Sequence, residues 1–504
     1  MHEGLPPDGE LPPGLVSPAQ DGLLRVLYSP DDEVLAEFRR WEAGVALDDL
    51  DSGCYRLYPA LYHRLRTLAP DHPFLGRMKG LFRRALYRNQ LLFRWAREVL
   101  GRLRAARIDC IVLKGAALVR SIGFSAGFRP MADVDLLVRP RDARRAMEVA
   151  DVRFRTVLDD VAATEAHLHL RHGLSVMDER EFEIDLHWRL AGAWAAGEDP
   201  DAPFWETAEA IDLQGEPALT LGPTELLYHV LVHGLAWNAV PVVRWVSDAL
   251  GILEAEGGRV DWGRLVRLAA RYRQRPAVRV ALSHLVHRFG APVPPAVLAA
   301  LAPPYAASEL AGFAVRTRPW ASPIALEEAM VLTAARLPEL ERRLPGRRRL
   351  VYLPDRMATP RAMAWIRSLG ADHLCEFAAT APLMAEARRR IVESAQWQRR
   401  FDGAEGALFR LDLFHDVPGG GRTPVYARVG RTEDGKWAIR TFATSLGDWP
   451  RGAVVLRLDA TMGFLQTSIL SLENAMPQPF LPTWPGFVAA AVAPTLPAPP
   501  PMVR

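Results

Sequence analysis

The chain contains 504 residues, of which 49% are hydrophobic, so it is long enough for two or three folded domains. Its formal net charge is only +3, from 62 basic and 59 acidic residues, which does not favour a nucleic-acid-binding protein. The cysteines, Cys54, Cys110 and Cys375, are few and far apart, which excludes a disulfide framework and is typical of a reducing cytoplasm. Neither a signal peptide nor a membrane-spanning segment is predicted, so we expect a cytoplasmic protein without membrane contacts. The many Arg, Ala and Pro residues are typical of a bacterial genome of high GC content.

The N-terminal part is predicted to be helical after a short disordered segment. Residues 1–20 are rich in Pro and Gly, which favours disorder. Residues 21–106 carry apolar side chains at helical spacing, and the longest helix is predicted over 74–106. Pro59 is expected in the first turn of a shorter helix, where a residue without an N–H group is tolerated.

Residues 108–138 have the pattern of a strand, a tight Gly turn, a short helix, a flexible loop and a second strand. Asp133 and Asp135 lie one residue apart on the second strand, so their side chains project from the same face. Two carboxylates held so closely repel each other unless a cation lies between them. An exposed edge strand with two solvated acids is the alternative, but the apolar Val134 and residues 136–138 favour a central strand. The pattern therefore predicts a site for a hard divalent metal ion.

A third carboxylate is predicted on a later strand. Residues 181–190 alternate as a strand does, and they place Glu183 and Asp185 on one face, together with the histidine two residues later. Three carboxylates on adjacent strands, from Asp133, Asp135 and Asp185, can hold Mg²⁺ or Mn²⁺, with Glu183 as an accessory or alternative ligand. Zinc is a weaker interpretation, because no cysteine or regular spacing supports the four histidines of this region, His167, His169, His172 and His187.

The Gly turn at the start of this pattern is a candidate phosphate site. Gly115 and Ala116 begin the short helix, whose free N–H groups can bind a triphosphate. Lys114 and Arg129 are the cations nearest in sequence that could neutralise such a group. Lys114 could equally be an ordinary lysine at a strand end.

The rest of the chain is predicted in three parts. Residues 216–400 have helical periodicity interrupted by prolines and form a helical domain. Within it, Arg244 and Asp248 lie four residues apart and are interpreted as a pair on a helix surface. Residues 401–482 alternate as strands between turn-like segments, which predicts a small β-rich region, and 483–504 form a Pro-rich tail.

These motifs resemble those of the DNA polymerase β-like nucleotidyltransferase superfamily, and more narrowly its bacterial uncharacterised nucleotidyltransferase family. The matching segments are LKG at 113–115, RPMADVDLLV at 129–138 and EIDLHW at 183–188. The resemblance covers roughly residues 40–360. Ala116 departs from the superfamily, which commonly has a phosphate-contacting Ser after the turn glycine.

The resemblance implies an α+β fold: a polymerase β-like core of a mixed sheet with flanking helices over 107–215, a helical domain and a small β-rich C-terminal part. It implies transfer of an NMP from an NTP, with ATP expected, to a hydroxyl of a small molecule or protein by two-metal-ion catalysis. A non-catalytic nucleotide-binding or partner-regulating protein that keeps the fold is the alternative. In the enzyme, the implied metal ligands are Asp133, Asp135 and Asp185, of which Asp185 also helps to deprotonate the acceptor, and the implied triphosphate-binding residues are Lys114, Gly115, Ala116 and Arg129.

Overall fold

The computed structural model consists of two compact units, which are described separately. Met1–Asp159, Arg171–Pro323 and Ala460–Phe464 form the first unit, and Asp160–Leu170, Ile324–Asp459 and Leu465–Arg504 form the second. The described residues are 5–46, 51–123, 125–150, 153–154, 172–177, 183–190, 199–237, 240–318, 334, 337, 349–353, 365–369, 371–377, 389, 407–417, 421–431, 437–444, 454–457, 466–469 and 495–496.

Helices occupy most of the described part of the first unit. The long helix predicted over 74–106 is confirmed as Leu75–Ala105. None of the described helices combines the length and the apolar character that crossing a membrane requires. The helices are α1 (Pro18–Tyr28), α2 (Val34–Ala43), α3 (Ser52–Leu65), α4 (Leu75–Ala105), α5 (Lys114–Ser121), α6 (Ala143–Ala150), α7 (Ala202–Glu206), α8 (Pro223–Gly234), α9 (Arg244–Glu256), α10 (Trp262–Arg271), α11 (Arg275–Phe289), α12 (Pro295–Ala300) and α13 (Ala307–Thr317).

Two expectations for the N-terminal part are wrong. Residues 5–20 were expected to be disordered, but Gly9 N–H donates to Ser283 Oγ of α11 at 2.8 Å and Leu15 is buried. Pro59 lies inside α3 rather than in its first turn. The helix begins earlier because Asp51 caps it, accepting a hydrogen bond from the Cys54 N–H at 2.8 Å.

A seven-stranded mixed sheet lies in the first unit, in the order β3-β4-β5-β2-β1-β7-β6. The pairs β2–β5 and β1–β7 are parallel and the other pairs are antiparallel. The strand–turn–helix–loop–strand pattern predicted over 108–138 is confirmed. The strands are β1 (Cys110–Val112), β2 (Asp133–Val138), β3 (Arg153–Phe154), β4 (Gly173–Met177), β5 (Glu183–His187), β6 (Glu209–Leu213) and β7 (Glu216–Thr220).

A buried asparagine of α4 holds the loop that enters β2. Asn89 Nδ2 donates to the carbonyls of Ala126 at 2.6 Å and Arg129 at 2.8 Å, and its Oδ1 accepts from the Met131 N–H at 3.2 Å. Because the side chain is fully buried, these bonds do not compete with water. Asn89 thus determines where the chain stands just before the first carboxylate of β2.

The second unit contains an eight-stranded sheet, which includes β15 paired with β12. Its strands β8 and β9 are parallel to each other and lie within the range 216–400 that was predicted to be helical, so that expectation is wrong for these two segments. After its first residue β8 is a short apolar run, which periodicity alone cannot distinguish from a buried helix, and β9 is a short segment of mixed polar and apolar residues. The strands are β8 (Arg349–Leu353), β9 (Asp372–Phe377), β10 (Ala407–Val417), β11 (Gly421–Arg431), β12 (Trp437–Thr444), β13 (Val454–Arg457), β14 (Gln466–Ile469) and β15 (Thr495–Leu496).

Candidate active site

The parallel pairing of β2 with β5 brings carboxylates together at the centre of the first sheet. Asp135 pairs in register with Asp185, and Asp133 with Glu183. Directly paired residues point to the same face of a sheet, so four carboxylates lie on two adjacent strands. Interior neighbours of the sheet, including Val134 and Leu136, are buried, which agrees with the expected central strand.

A histidine completes the tightest group of ligand atoms. Asp135, Asp185 and His187 each offer one atom, and these atoms lie within 4.8 Å of one another. His187 Nε2 is 3.0 Å from Asp135 Oδ1. Asp133 lies two residues before Asp135 on β2 and is not part of this group. Among the described residues, this is the one group of three or more such side chains that could hold a metal ion.

The two aspartates of β2 have opposite electrostatic surroundings. Burial, followed by repulsion from Asp135 and Asp185, raises the pKa of Asp133 to about 6. Burial would also raise the pKa of Asp135, but the hydrogen bond with His187 and the charge of Lys114 outweigh it and hold that pKa well below its usual range. Asp135 is therefore ionised at neutral pH, and a cation near Asp133 would relieve its repulsion. The donor set fits a divalent metal ion.

Lys114 lies at the turn between β1 and α5, directly beside this group. The main chain of the turn is tied to β2, since the Leu113 N–H donates to the Asp135 carbonyl at 2.9 Å. Lys114 Nζ is 2.5 Å from Asp135 Oδ1, the same oxygen that His187 contacts. Its φ of 47° is in the left-handed region, which is costly for a residue with a side chain. The turn thus holds the ammonium group against the carboxylate.

Gly115 is required by packing against Arg129. A Cβ at Gly115 would stand 2.2 Å from Arg129 Nη1 and 2.7 Å from Met131 Sδ. Ala116, which was expected to face phosphate, is 1% exposed and does not line the cleft described below. The close approach at Gly115 places the guanidinium group of Arg129 across the start of α5.

Arg129 forms a buried ion pair with a residue that the sequence pattern assigned elsewhere. Its Nε and Nη2 donate to the two carboxylate oxygens of Asp248 on α9, both at 2.8 Å. The expected surface pair of Arg244 with Asp248 is therefore wrong, because Asp248 is buried and faces the loop before β2. Arg244 instead donates through Nη1 to the Pro130 carbonyl, while its buried Nε has no hydrogen-bond partner in the described structure.

These residues line a cleft between one end of the sheet and helices α8 and α9. Burial, followed by the positive charge of Arg129, lowers the pKa of Arg244 to about 9, so the group is still charged at neutral pH. Burial, followed by the charge of Lys114, lowers the pKa of His229 to about 3, so this imidazole is neutral. The residues that line the cleft are Lys114, Gly115, Leu118, Arg129, Met131, Asp133, Asp135, His229, Val230, His233, Gly234, Val242, Arg244, Trp245 and Asp248.

Of the expected site residues, the structure places Lys114, Gly115, Arg129, Asp133 and Asp135 along the cleft and Asp185 beside Asp135 in the ligand group, whereas Ala116 is buried away from the cleft. Four residues that were not expected also contact this region. Their sequence signals were weak: His187 has only its spacing of two from Asp185, and Asn89, Asp248 and Arg244 act through contacts distant in sequence. The histidines His167 and His169, considered for zinc, lie outside the described residues.

Part of the chain matches a known protein family. Residues 55–290 match the family described as uncharacterised nucleotidyltransferase. This range contains β1 to β7 and the whole cleft lining. No curated protein matches the chain.

Two solved structures are also similar to part of the chain. The solution structure of the antibiotic-resistance factor ANT(2'')-Ia has 16% identity and a TM-score of 0.26, covering 40% of this chain and 98% of that one. The crystal structure of an antigenic nucleotidyltransferase-like protein from Paracoccidioides brasiliensis has 13% identity and a TM-score of 0.25, covering 43% of this chain and 92% of that one.

Proposed function

We propose that this protein is a divalent-metal-dependent nucleotidyltransferase that moves an NMP from an NTP, with ATP expected, to a hydroxyl of a small molecule or protein. The observation that carries the proposal is the register of Asp135 with Asp185 on adjacent strands, since Asp135 also lines a cleft that contains Lys114, Arg129 and Arg244. The nucleotidyltransferase family match over residues 55–290 supports it.

Metal binding is assigned to Asp133, Asp135 and Asp185. Burial, and then repulsion from Asp135 and Asp185, raises the pKa of Asp133, and a divalent ion between these carboxylates would relieve the repulsion. When bound, the metal would lower the pKa of the attacking hydroxyl and stabilise the leaving pyrophosphate. Lys114 neutralises part of the negative charge of Asp135, and its ammonium group would be available to a phosphate once a metal ion occupied Asp135.

Triphosphate binding is assigned to the opposite side of the cleft. Arg244 is a buried cation whose Nε has no hydrogen-bond partner among the described residues, and a buried donor without a partner is costly. Arg129 directs Nη1 to the Gly115 turn while Asp248 occupies its other donors. An anion between Lys114, Arg129 and Arg244 would therefore be stabilised by three cations.

The chemistry is a single displacement at the α-phosphorus of the NTP. The acceptor oxygen forms the new O–P bond while the bond from the α-phosphorus to the bridging oxygen breaks and pyrophosphate leaves. We assign acceptance of the hydroxyl proton to Asp185, the carboxylate paired with Asp135. Lys114, Arg129 and Arg244 would hold the negative charge that accumulates on the phosphates.

The test is transfer of label from α-labelled NTPs to components of a cell extract, with Mg²⁺ or Mn²⁺. Asp135→Asn should reduce transfer by at least about 10²–10³-fold, since metal stabilisation of the transition state is worth several kcal/mol. Asp142→Asn, a change at a partly exposed aspartate after β2, is the matched control and should retain activity. Equilibrium NTP binding is measured in parallel.

The outcomes separate the enzyme from its alternative. Transfer that Asp135→Asn abolishes and Asp142→Asn preserves supports the enzyme. NTP binding without transfer to any acceptor supports a non-catalytic nucleotide-binding protein. If neither NTP binding nor transfer occurs with any NTP and either metal, both the enzyme and the non-catalytic nucleotide-binding protein are excluded.

A further inference from the structure

His187 is positioned as a ligand rather than as an ordinary strand residue. It follows Asp185 by two residues on β5, so both side chains lie on the same face of the sheet. Its Nε2 is 3.0 Å from Asp135 Oδ1 and belongs to the group of ligand atoms within 4.8 Å of one another. The side chain is only 11% exposed, so the ring has little freedom to turn away.

The neighbouring strand is built to admit this ring. Gly173 of β4 pairs directly with His187, and a Cβ at Gly173 would stand 2.9 Å from His187 Nδ1. A side chain there would therefore have to displace the imidazole together with the β5 backbone, since the Leu186 carbonyl oxygen would also stand at 2.9 Å. The ring of His172 stacks on the ring of His187, with the centroids 5.6 Å apart and an interplanar angle of 24°. These two contacts hold Nε2 towards Asp135 and Asp185.

We propose that His187 is a nitrogen ligand of the ion held by Asp135 and Asp185, so that this site takes a first-row transition ion such as Mn²⁺ in preference to Mg²⁺. The inference rests on the metal site assigned under the proposed function and specifies its chemistry. Mg²⁺ prefers oxygen ligands, whereas imidazole nitrogen suits transition ions. Metal–ligand bonds of about 2.0–2.2 Å bring donor atoms to separations of about 3–4 Å, which a group within 4.8 Å reaches by small side-chain movements.

Metal binding would replace two contacts that Asp135 Oδ1 makes. Asp135 Oδ1 now contacts both Lys114 Nζ and His187 Nε2. An ion between the carboxylates takes the place of the ammonium group, and His187 Nε2 gives its lone pair to the metal with its proton on Nδ1. The imidazole thus changes from a partner of the carboxylate to a partner of the ion, without leaving its position.

The experiment uses the full-length protein loaded with Mn²⁺ and needs no substrate. Electron spin-echo envelope modulation of the bound Mn²⁺ detects a directly coordinated nitrogen, and calorimetry measures Mn²⁺ and Mg²⁺ affinities. We expect nitrogen modulation and tighter binding of Mn²⁺ in the parent protein. His187→Gln should remove the modulation and weaken Mn²⁺ binding by at least about 10-fold, the usual minimum for loss of even an outer-shell partner.

His233→Gln is the matched control, because His233 lines the same cleft but is outside the ligand group. It should leave both the modulation and the Mn²⁺ affinity unchanged. Gly173→Ala is a second variant that keeps the imidazole but displaces it, and it should reduce the modulation as His187→Gln does.

Each result bears on the inference in a defined way. Mn²⁺ binding that needs Asp135 but shows no nitrogen modulation overturns ligation by His187 and leaves the carboxylate site and the proposed function standing. Equal affinities for Mn²⁺ and Mg²⁺ that His187→Gln leaves unchanged overturn it too. If neither ion binds the parent protein, whether alone or with an NTP added, the inference and the proposed function fail together.

Discussion

Removing Asp248 should destabilise the protein through the buried ion pair that it forms with Arg129. The side chains are only 14% (Arg129) and 7% (Asp248) exposed, and both hydrogen bonds measure 2.8 Å. Asp248→Ala would leave the guanidinium charge buried without its partner. Breaking a buried pair in this way typically costs about 3–5 kcal/mol, whereas exposed pairs contribute about 0–1 kcal/mol. We therefore expect a loss of about 3–5 kcal/mol in the free energy of unfolding.

The matched control is the exposed pair of Arg94 and Glu98 on α4, whose side chains are 73% and 48% exposed and whose closest atoms are 3.9 Å apart. Glu98→Ala should cost less than about 1 kcal/mol. Urea unfolding followed by circular dichroism gives the free energy, and amide hydrogen exchange of residues 244–256 reports the α9 region directly.

A double mutant that removes both partners of this ion pair should be more stable than Asp248→Ala alone. Replacing both partners, with Arg129→Leu and Asp248→Leu, should recover part of the loss, because no buried charge remains. A loss below about 1 kcal/mol for Asp248→Ala, with unchanged exchange of α9, would refute the claim that this pair anchors the loop before β2 to the helices.

Three further predictions concern single side chains. Asn89→Leu should cost at least about 3 kcal/mol in urea unfolding, since two buried carbonyls and one N–H group lose their partner; a cost below about 1 kcal/mol would contradict this. Gly115→Ala should cost about 1–3 kcal/mol by displacing Arg129, and the cost should shrink when Asp248→Ala is already present; additive costs would count against the contact. Burial lowers the pKa of His284 despite its hydrogen bond with the Gly9 carbonyl, so its stabilising contribution is complete above the unfolded pKa of about 6.5 and is lost as pH falls through the lowered folded value. Thermal melts between pH 8 and pH 5 should accordingly show a smaller fall for His284→Gln than for the parent protein, and parallel curves would exclude this role.

The local pattern of the site could be predicted from the sequence because it depends on alternation and turn chemistry. Asp133 and Asp135 had to share a face once their segment was a strand, and the Lys114–Gly115 turn was expected to lead into a helix, which begins at Lys114. The third carboxylate, Asp185, was predictable in the same way. Each of these inferences uses neighbours within a few residues.

The remaining features depend on contacts between distant segments. The parallel register of β2 with β5 decides that Asp185, rather than Glu183, pairs with Asp135, and a shift by one residue would turn the carboxylates to the other face. The pairing of Arg129 with Asp248 spans 119 residues, so a local reading paired Asp248 with Arg244 instead. His187 could not be distinguished from an ordinary strand histidine until β4 and Asp135 were placed around it.

The charges of the cleft predict that the binding of a metal ion and the binding of ATP strengthen each other. Its sheet side carries Asp133 and Asp135 with Lys114 beside Asp135, and its helix side carries Arg244, whose Nε has no hydrogen-bond partner among the described residues. A metal ion on the sheet side would relieve the repulsion between the carboxylates and allow Lys114 to face a phosphate. A triphosphate would satisfy Arg244 and bring further oxygen ligands to the metal. Each ligand thus stabilises the arrangement that the other requires, and such coupling is reciprocal.

Mn²⁺ should therefore raise the affinity for ATP by at least about 5-fold in equilibrium titrations, and ATP should raise the affinity for Mn²⁺ by the same factor. Asp135→Asn should abolish the coupling while leaving some ATP binding through Arg244. If ATP binds equally well with and without Mn²⁺, the two sides of the cleft act independently and this account of Lys114 is wrong.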